Sequence, residues 1–282
     1  MPRLIQHVDR KSLYTSLEAR IRYLHSFLDF GTNDVEALLS GSKYIQALIP
    51  AVVNIVYKKL LQYDITARAF QTRSTAFEGP MDETPNEESP QIVHRKMFLR
   101  AYLKKLCSDP TQMEFWEYLD KVGMMHTGLG RTHPLHIEYI HIGAGLAVIQ
   151  DILNEAILSH PRLQLPRKIA ITKALNKVIW IQNDLFTKWY VHDGDEFTDG
   201  MDFGIIEKEG WLNGKKILDP ENDSEISNDT VKTPTAEPKE KGKAPAGVCP
   251  FTGIVASMGN LEVSDEASKR EVKVEVPAEN GH

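Results

Sequence analysis

Between Glu114 and Leu153 the chain reads, after the first glutamate, FWEYLDKVGMMHTGLGRTHPLHIEYIHIGAGLAVIQDIL, and no other stretch constrains the fold as tightly. Phe115, Leu119, Val122 and His126 recur at spacings of four, three and four, which is one face of an α-helix. Gly128, Gly130 and Pro134 then break the pattern, and a longer apolar helix follows. His126 therefore carries a core-facing stripe into the last turn of its helix. Two roles suit such an imidazole: a hydrogen-bonded core histidine, or a metal ligand with a neutral nitrogen, a fixed direction and little water. Position alone does not choose between them.

The remainder also has helical period. Leu13, Leu17, Ile21, Leu24 and Leu28 predict one N-terminal helix over residues 12–30, ended by Gly31. Thr32 is expected to cap a short helix that Gly41 stops, with Asp34 and Glu36 at its positive end. The run KYIQALIPAVVNIVYKKLLQYD predicts a further helix, in which Pro50 either kinks the chain or marks the true first turn. Tyr57 lies on its apolar stripe with Ile49, Val53 and Leu60, as a core tyrosine does. Residues 70–91 have three prolines, an acidic run and no period, and so predict a loop.

Helical patterning resumes in QIVHRKMFLRAYLKKLC, where His94, beside Arg95 and Lys96, is expected at a solvated entry. Asp109 is the expected cap of the helix that ends at His126. Two long helices follow, HIEYIHIGAGLAVIQDILNEAIL and RKIAITKALNKVIWIQNDLFTKWY, the second with Gln182 on its buried side. His133, His136 and His141 do not make a metal set, because Pro134 disrupts any shared face and no thiolate or carboxylate completes it. Residues 191–218 are expected to lie against the body through Phe197, Phe203 and Trp211.

Charge bounds the partners. The net charge of −6 belongs to residues 219–282, and the first 218 residues are balanced. A neutral body argues against nucleic acid and against an anionic membrane surface. Cys107 and Cys249 form no metal spacing or disulfide framework, and no apolar run reaches the length of a signal core or a membrane span. The expected compartment is the cytoplasm. We therefore expect one helical domain over residues 1–218 and a disordered acidic tail over 219–282.

The order LDKVGMMHTG, then HIEYIHIGAGLAVI, with VNIVYKKLL upstream, resembles the protoglobin and globin-coupled-sensor family, most clearly around the proximal histidine and more weakly from Ser12 to Tyr190. The resemblance implies an all-α, globin-like fold with an extra N-terminal helix, and a b-type haem whose iron His126 ligates. It implies Tyr57 on the distal side, hydrogen-bonding an iron-bound diatomic gas, and a haem wall of Val53, Phe98, Leu99, Tyr102, Val122, Ile142 and Leu146. The function implied is reversible binding of O2, NO or CO for sensing or binding. A homodimer through the last two long helices is also implied.

Two other functions stay open: NO dioxygenase or peroxidase-like chemistry at the same iron, and a haem-free helical interaction scaffold. No glycine-rich phosphate loop or nucleophile elbow is present to suggest other enzymes. In the tail, Cys249-Pro250 resembles a short haem-regulatory motif. Its rival is a docking segment that buries Val248, Phe251 and Ile254 on the body or on an unidentified protein partner.

Overall fold

The computed structural model describes residues 5–129, 131, 133, 135–200 and 209–219. The expectations for Phe203, Cys249 and the tail beyond residue 219 lie outside these.

Ten α-helices account for most of the described chain: α1 (Arg10–Thr15), α2 (Leu17–Phe27), α3 (Thr32–Gln46), α4 (Ile49–Leu61), α5 (Asp64–Ala67), α6 (Pro90–Leu106), α7 (Met113–His126), α8 (Tyr139–Ser159), α9 (Leu165–Thr187) and α10 (Asp195–Thr198). A 3-10 turn, Arg68–Gln71, continues α5. Trp211–Leu212 (β1) pairs antiparallel with Lys215–Lys216 (β2).

The longest helix, α9, organises the core by packing on α3, α7 and α8. Its Ile171, Ala174, Leu175, Val178, Ile179, Ile181, Leu185 and Phe186 are all buried. Burying that many apolar side chains supplies the main driving force for assembly, at roughly 1.5–3 kcal/mol for each large one. Charge pairs set the register at its flanks. Arg20 of α2 grips Asp184 through two hydrogen bonds of 2.6 and 2.9 Å, and Lys177 meets Asp34 of α3 at 2.8 Å. The second layer is α4, which packs on α6 and α8.

Three boundaries differ from expectation. The N-terminal helix is two helices, because Ser16 leaves helical geometry and its Oγ accepts from the Ala19 N–H to start α2. Gly41 does not stop α3; it sits buried inside it, where a Cβ would meet Ile171 side-chain atoms at 3.0 Å, so the missing side chain serves close approach of α3 to α9. Asp109 does not cap α7: its carboxylate accepts from Thr111 N, and Gln112 is the capping position. Pro50 stands in the first turn of α4, where its missing N–H costs nothing.

By length and composition α8 could cross a membrane. Here it packs on α3, α4 and α9, and its Ile142, Gly145, Leu146 and Ile149 line the interior cavity described next. Interior contacts account for part of its apolar character; Ile140 and Leu158 stay exposed.

Candidate functional site

A cavity of about 620 Å3 opens among α4, α6, α7, α8 and the 3-10 turn. A mostly apolar pocket of this size is ample for a cofactor or drug-sized ligand. Of the residues singled out from sequence, Tyr57, Phe98, Leu99, Tyr102, Val122, His126, Ile142 and Leu146 all face it. Val53 does not. It is fully buried on α4 and packs away from the cavity wall.

His126 ends α7, as its stripe requires. Its Nδ1 lies 2.7 Å from the carbonyl oxygen of Val122, one turn back. A carbonyl can only accept, so Nδ1 carries the proton and Nε2 is left with a lone pair. The ring stacks on Phe186 of α9, with centroids 5.4 Å apart. Burial, reinforced by Arg131 and Arg95 nearby, holds the imidazole below the ordinary histidine pKa, although the Val122 bond acts the other way. At neutral pH this is a neutral, oriented nitrogen donor.

Two contacts fix where that ring stands. A Cβ at Gly123 would lie 2.9 Å from the Leu185 carbonyl oxygen and 3.0 Å from the Phe186 Cα, so only glycine lets α7 rest directly on the α9 backbone. The exposed C-terminal carbonyl of His126 accepts from the Ile137 N–H at 2.8 Å, which folds the connection to α8 back on the helix end. Tyr190 donates to the Ile137 carbonyl at 2.7 Å and holds the same point from α9's side.

Tyr57 is buried and faces the cavity, with its ring 5.6 Å from that of Phe70. Burial raises its pKa, so the hydroxyl stays protonated. Among the described residues no hydrogen bond is formed by that hydroxyl, which leaves it a donor on a residue of the cavity wall. Tyr102 and Gln182 add two more polar groups, each with a buried oxygen lacking a well-formed hydrogen bond.

His94 is not at a solvated entry. It is half-buried between Phe77 and Phe98, 4.9 Å from each ring, and stands outside the cavity wall. His136 and His141, set aside only as members of a shared metal cluster, line the cavity, and His133 is exposed. His141 Nε2 lies 3.5 Å from Glu138.

Sequence reasoning missed a charged wall. Arg95, Arg131 and Glu209 face the cavity, and Arg131 pairs with Glu209, which also accepts from the Ser74 hydroxyl. Residue 131 stands in the connection after α7, and 209 far beyond α9. Nothing in the local pattern links two charges so distant in the chain. Phe186 was equally silent, whereas Gln182, an amide within an apolar stripe, was the legible sign that α9 borders something polar.

An all-α chain in which stacked helices enclose a cavity headed by a helix-terminal imidazole has a globin-like fold. A model of the Protoglobin family matches residues 17–196, and the chain belongs to that family. Among solved structures, the globin domain of a Geobacter sulfurreducens globin-coupled sensor is similar at a TM-score of 0.47 and 15% sequence identity, over 60% of this chain and 97% of that one. No curated protein matches the chain.

The donor set fits a haem. A planar tetrapyrrole needs an apolar slot of several hundred cubic ångströms and a neutral imidazole nitrogen, and the cavity offers both through its apolar lining and His126.

Proposed function

We propose that the chain binds one b-type haem in this cavity and there reversibly takes up a diatomic gas, O2, NO or CO, for sensing or binding. The observation that carries this reading is His126: a neutral imidazole on the cavity wall, its Nδ1–H committed to Val122 and its Nε2 lone pair uncommitted. Bound iron would supply the coordination position for the gas. The remaining work falls to the protein. Phe186 and the Val122 carbonyl orient the ring, and Phe98, Leu99, Ile142 and Leu146 exclude water. Tyr57 offers an O–H donor to a ligand atom that gains negative charge.

The same reading extends to self-association. Leu165, Ile169 and Trp180 share one stripe of α9 and are 64%, 47% and 57% exposed. With Leu158 and Ile140 of α8, also exposed, they give the last two long helices an apolar face suited to a second copy of this chain. Cytoplasmic residence is part of this proposal.

The test is an absorbance spectrum of the purified full chain with one equivalent of haem, before and after CO. An intense Soret band that shifts with CO is expected. No band above that of free haem would favour the scaffold function.

A further inference from the structure

Residues 209–219 lie beyond the stretch that the family model matches, yet they supply part of the cavity wall through Glu209 and Leu218. The segment is a compact strap. The Ile217 and Leu218 N–H groups donate to the Gly210 carbonyl at 2.7 and 2.9 Å, closing a loop around the β1–β2 turn. It is moored to α7 twice, by Lys215 on Glu114 at 2.8 Å and by Lys121 on the Trp211 carbonyl.

The charged side chains of the cavity do not balance. Among the described residues, Arg68, Arg95 and Arg131 face it against Glu138 and Glu209. Glu209 serves Arg131, and their side chains are only 12% and 8% exposed. Arg95 has no carboxylate at ion-pair distance among the described residues, although Glu209 acts on it through space: it donates to the Thr72 carbonyl at 2.7 Å and stands over the Phe70 ring. The Nε atoms of both Arg95 and Arg131 are buried with no hydrogen-bond partner among the described residues. Two guanidinium groups in an apolar enclosure thus share one carboxylate and keep two N–H donors unspent. A buried cation so placed is stabilised strongly by a further anion.

We propose that Arg95 and Arg131 form a carboxylate-binding subsite of the cavity, for which Glu209 of the strap and an acid group of the cavity ligand compete. The proposal rests on the porphyrin reading above, since a haem carries two propionates. A propionate that replaces Glu209 on Arg131 removes the charged one of the two bonds that hold Glu209 and leaves only Ser74, so loading the cavity loosens residues 209–219. Cavity occupancy is thereby transmitted to the segment that leads into residues 220–282.

Two iron-free probes test this on the full chain: protoporphyrin IX and its dimethyl ester, which lacks the acid groups. The readouts are the ratio of their affinities, by fluorescence titration, and hydrogen exchange in the 209–219 peptide. The acid should be preferred, and it alone should speed exchange in the strap. Glu209→Gln should raise the acid-to-ester ratio about tenfold, and Arg95→Gln and Arg131→Gln should each lower it by about as much, the scale of one charge-assisted bond. A ratio that none of the three variants moves, or a strap that exchanges no faster with the acid bound, overturns the proposal. Because neither probe contains iron, the expected ratios together with no iron–imidazole spectrum for haem would retain the subsite and remove His126 as a ligand. Uptake of neither porphyrin would overturn both.

Discussion

The Nδ1–H of His126 donates to the carbonyl oxygen of Val122 at 2.7 Å, one turn back along the same helix. That single bond selects the tautomer and aims the other nitrogen. His126→Ala should therefore abolish tight haem binding, and imidazole added to the buffer should partly restore the Soret band by filling the vacated volume. A variant with unchanged haem content and spectrum would transfer the ligand role to His136 or His141, which share the cavity.

Tyr57 provides a sharper discrimination. A hydrogen bond to bound O2, whose outer oxygen becomes partly negative, contributes about 0.5–1.5 kcal/mol when neutral and roughly twice that toward a charged acceptor. Tyr57→Phe should speed O2 release about 5- to 100-fold and change CO release far less, as read by stopped flow. Equal effects on the two gases would remove Tyr57 from the mechanism.

Acidification should destabilise the haem-free protein. Burial depresses the pKa of both His126 and His25. Below the ordinary histidine value of about 6.5, the unfolded chain binds protons that the native chain refuses, so stability is fully present above that value and falls as pH drops. The urea midpoint should be lower at pH 5.5 than at 7.5. His126→Leu should flatten that dependence.

Gly123→Ala places a methyl group against the Leu185 carbonyl and Phe186. Overpacking of this kind costs about 1–3 kcal/mol, or a Tm lower by roughly 2–12 °C in a chain of this size. Calorimetry of the variant checks it, and an unchanged Tm would mean that α7 can lift from α9 at no cost.

If the exposed face of α8 and α9 joins two copies, Trp180→Glu should halve the sedimenting mass without altering the haem spectrum. A wild-type chain that sediments as a monomer at tens of micromolar would discard the dimer.

The period of apolar residues made the all-α fold legible, and it carried His126 and Tyr57 to the right helices because both extend core stripes. It failed where one residue type serves two purposes. Gly41 reads as a helix stop, yet here the absence of a side chain seats Ile171. Val53 shares the stripe of Tyr57, but that stripe is wider than the cavity, and Val53 falls on the part facing the core. Arg131 carried no sign of its role because the carboxylate that explains it lies 78 residues away in sequence. Pairing across that distance is a product of the fold and has no local signature.

His126 has a second attachment: the Ile137 N–H hangs from its carbonyl oxygen, two residues before α8 begins at Tyr139. One residue thus presents its ring to the cavity and its backbone to the root of the next helix. The tie between ring and helix is the covalent frame of one residue and a single hydrogen bond. If ligation of the imidazole shifts α8, thermodynamic reciprocity requires that whatever clamps the first turn of α8, where Ile140 lies 70% exposed, alters the hold on the imidazole by the same free energy.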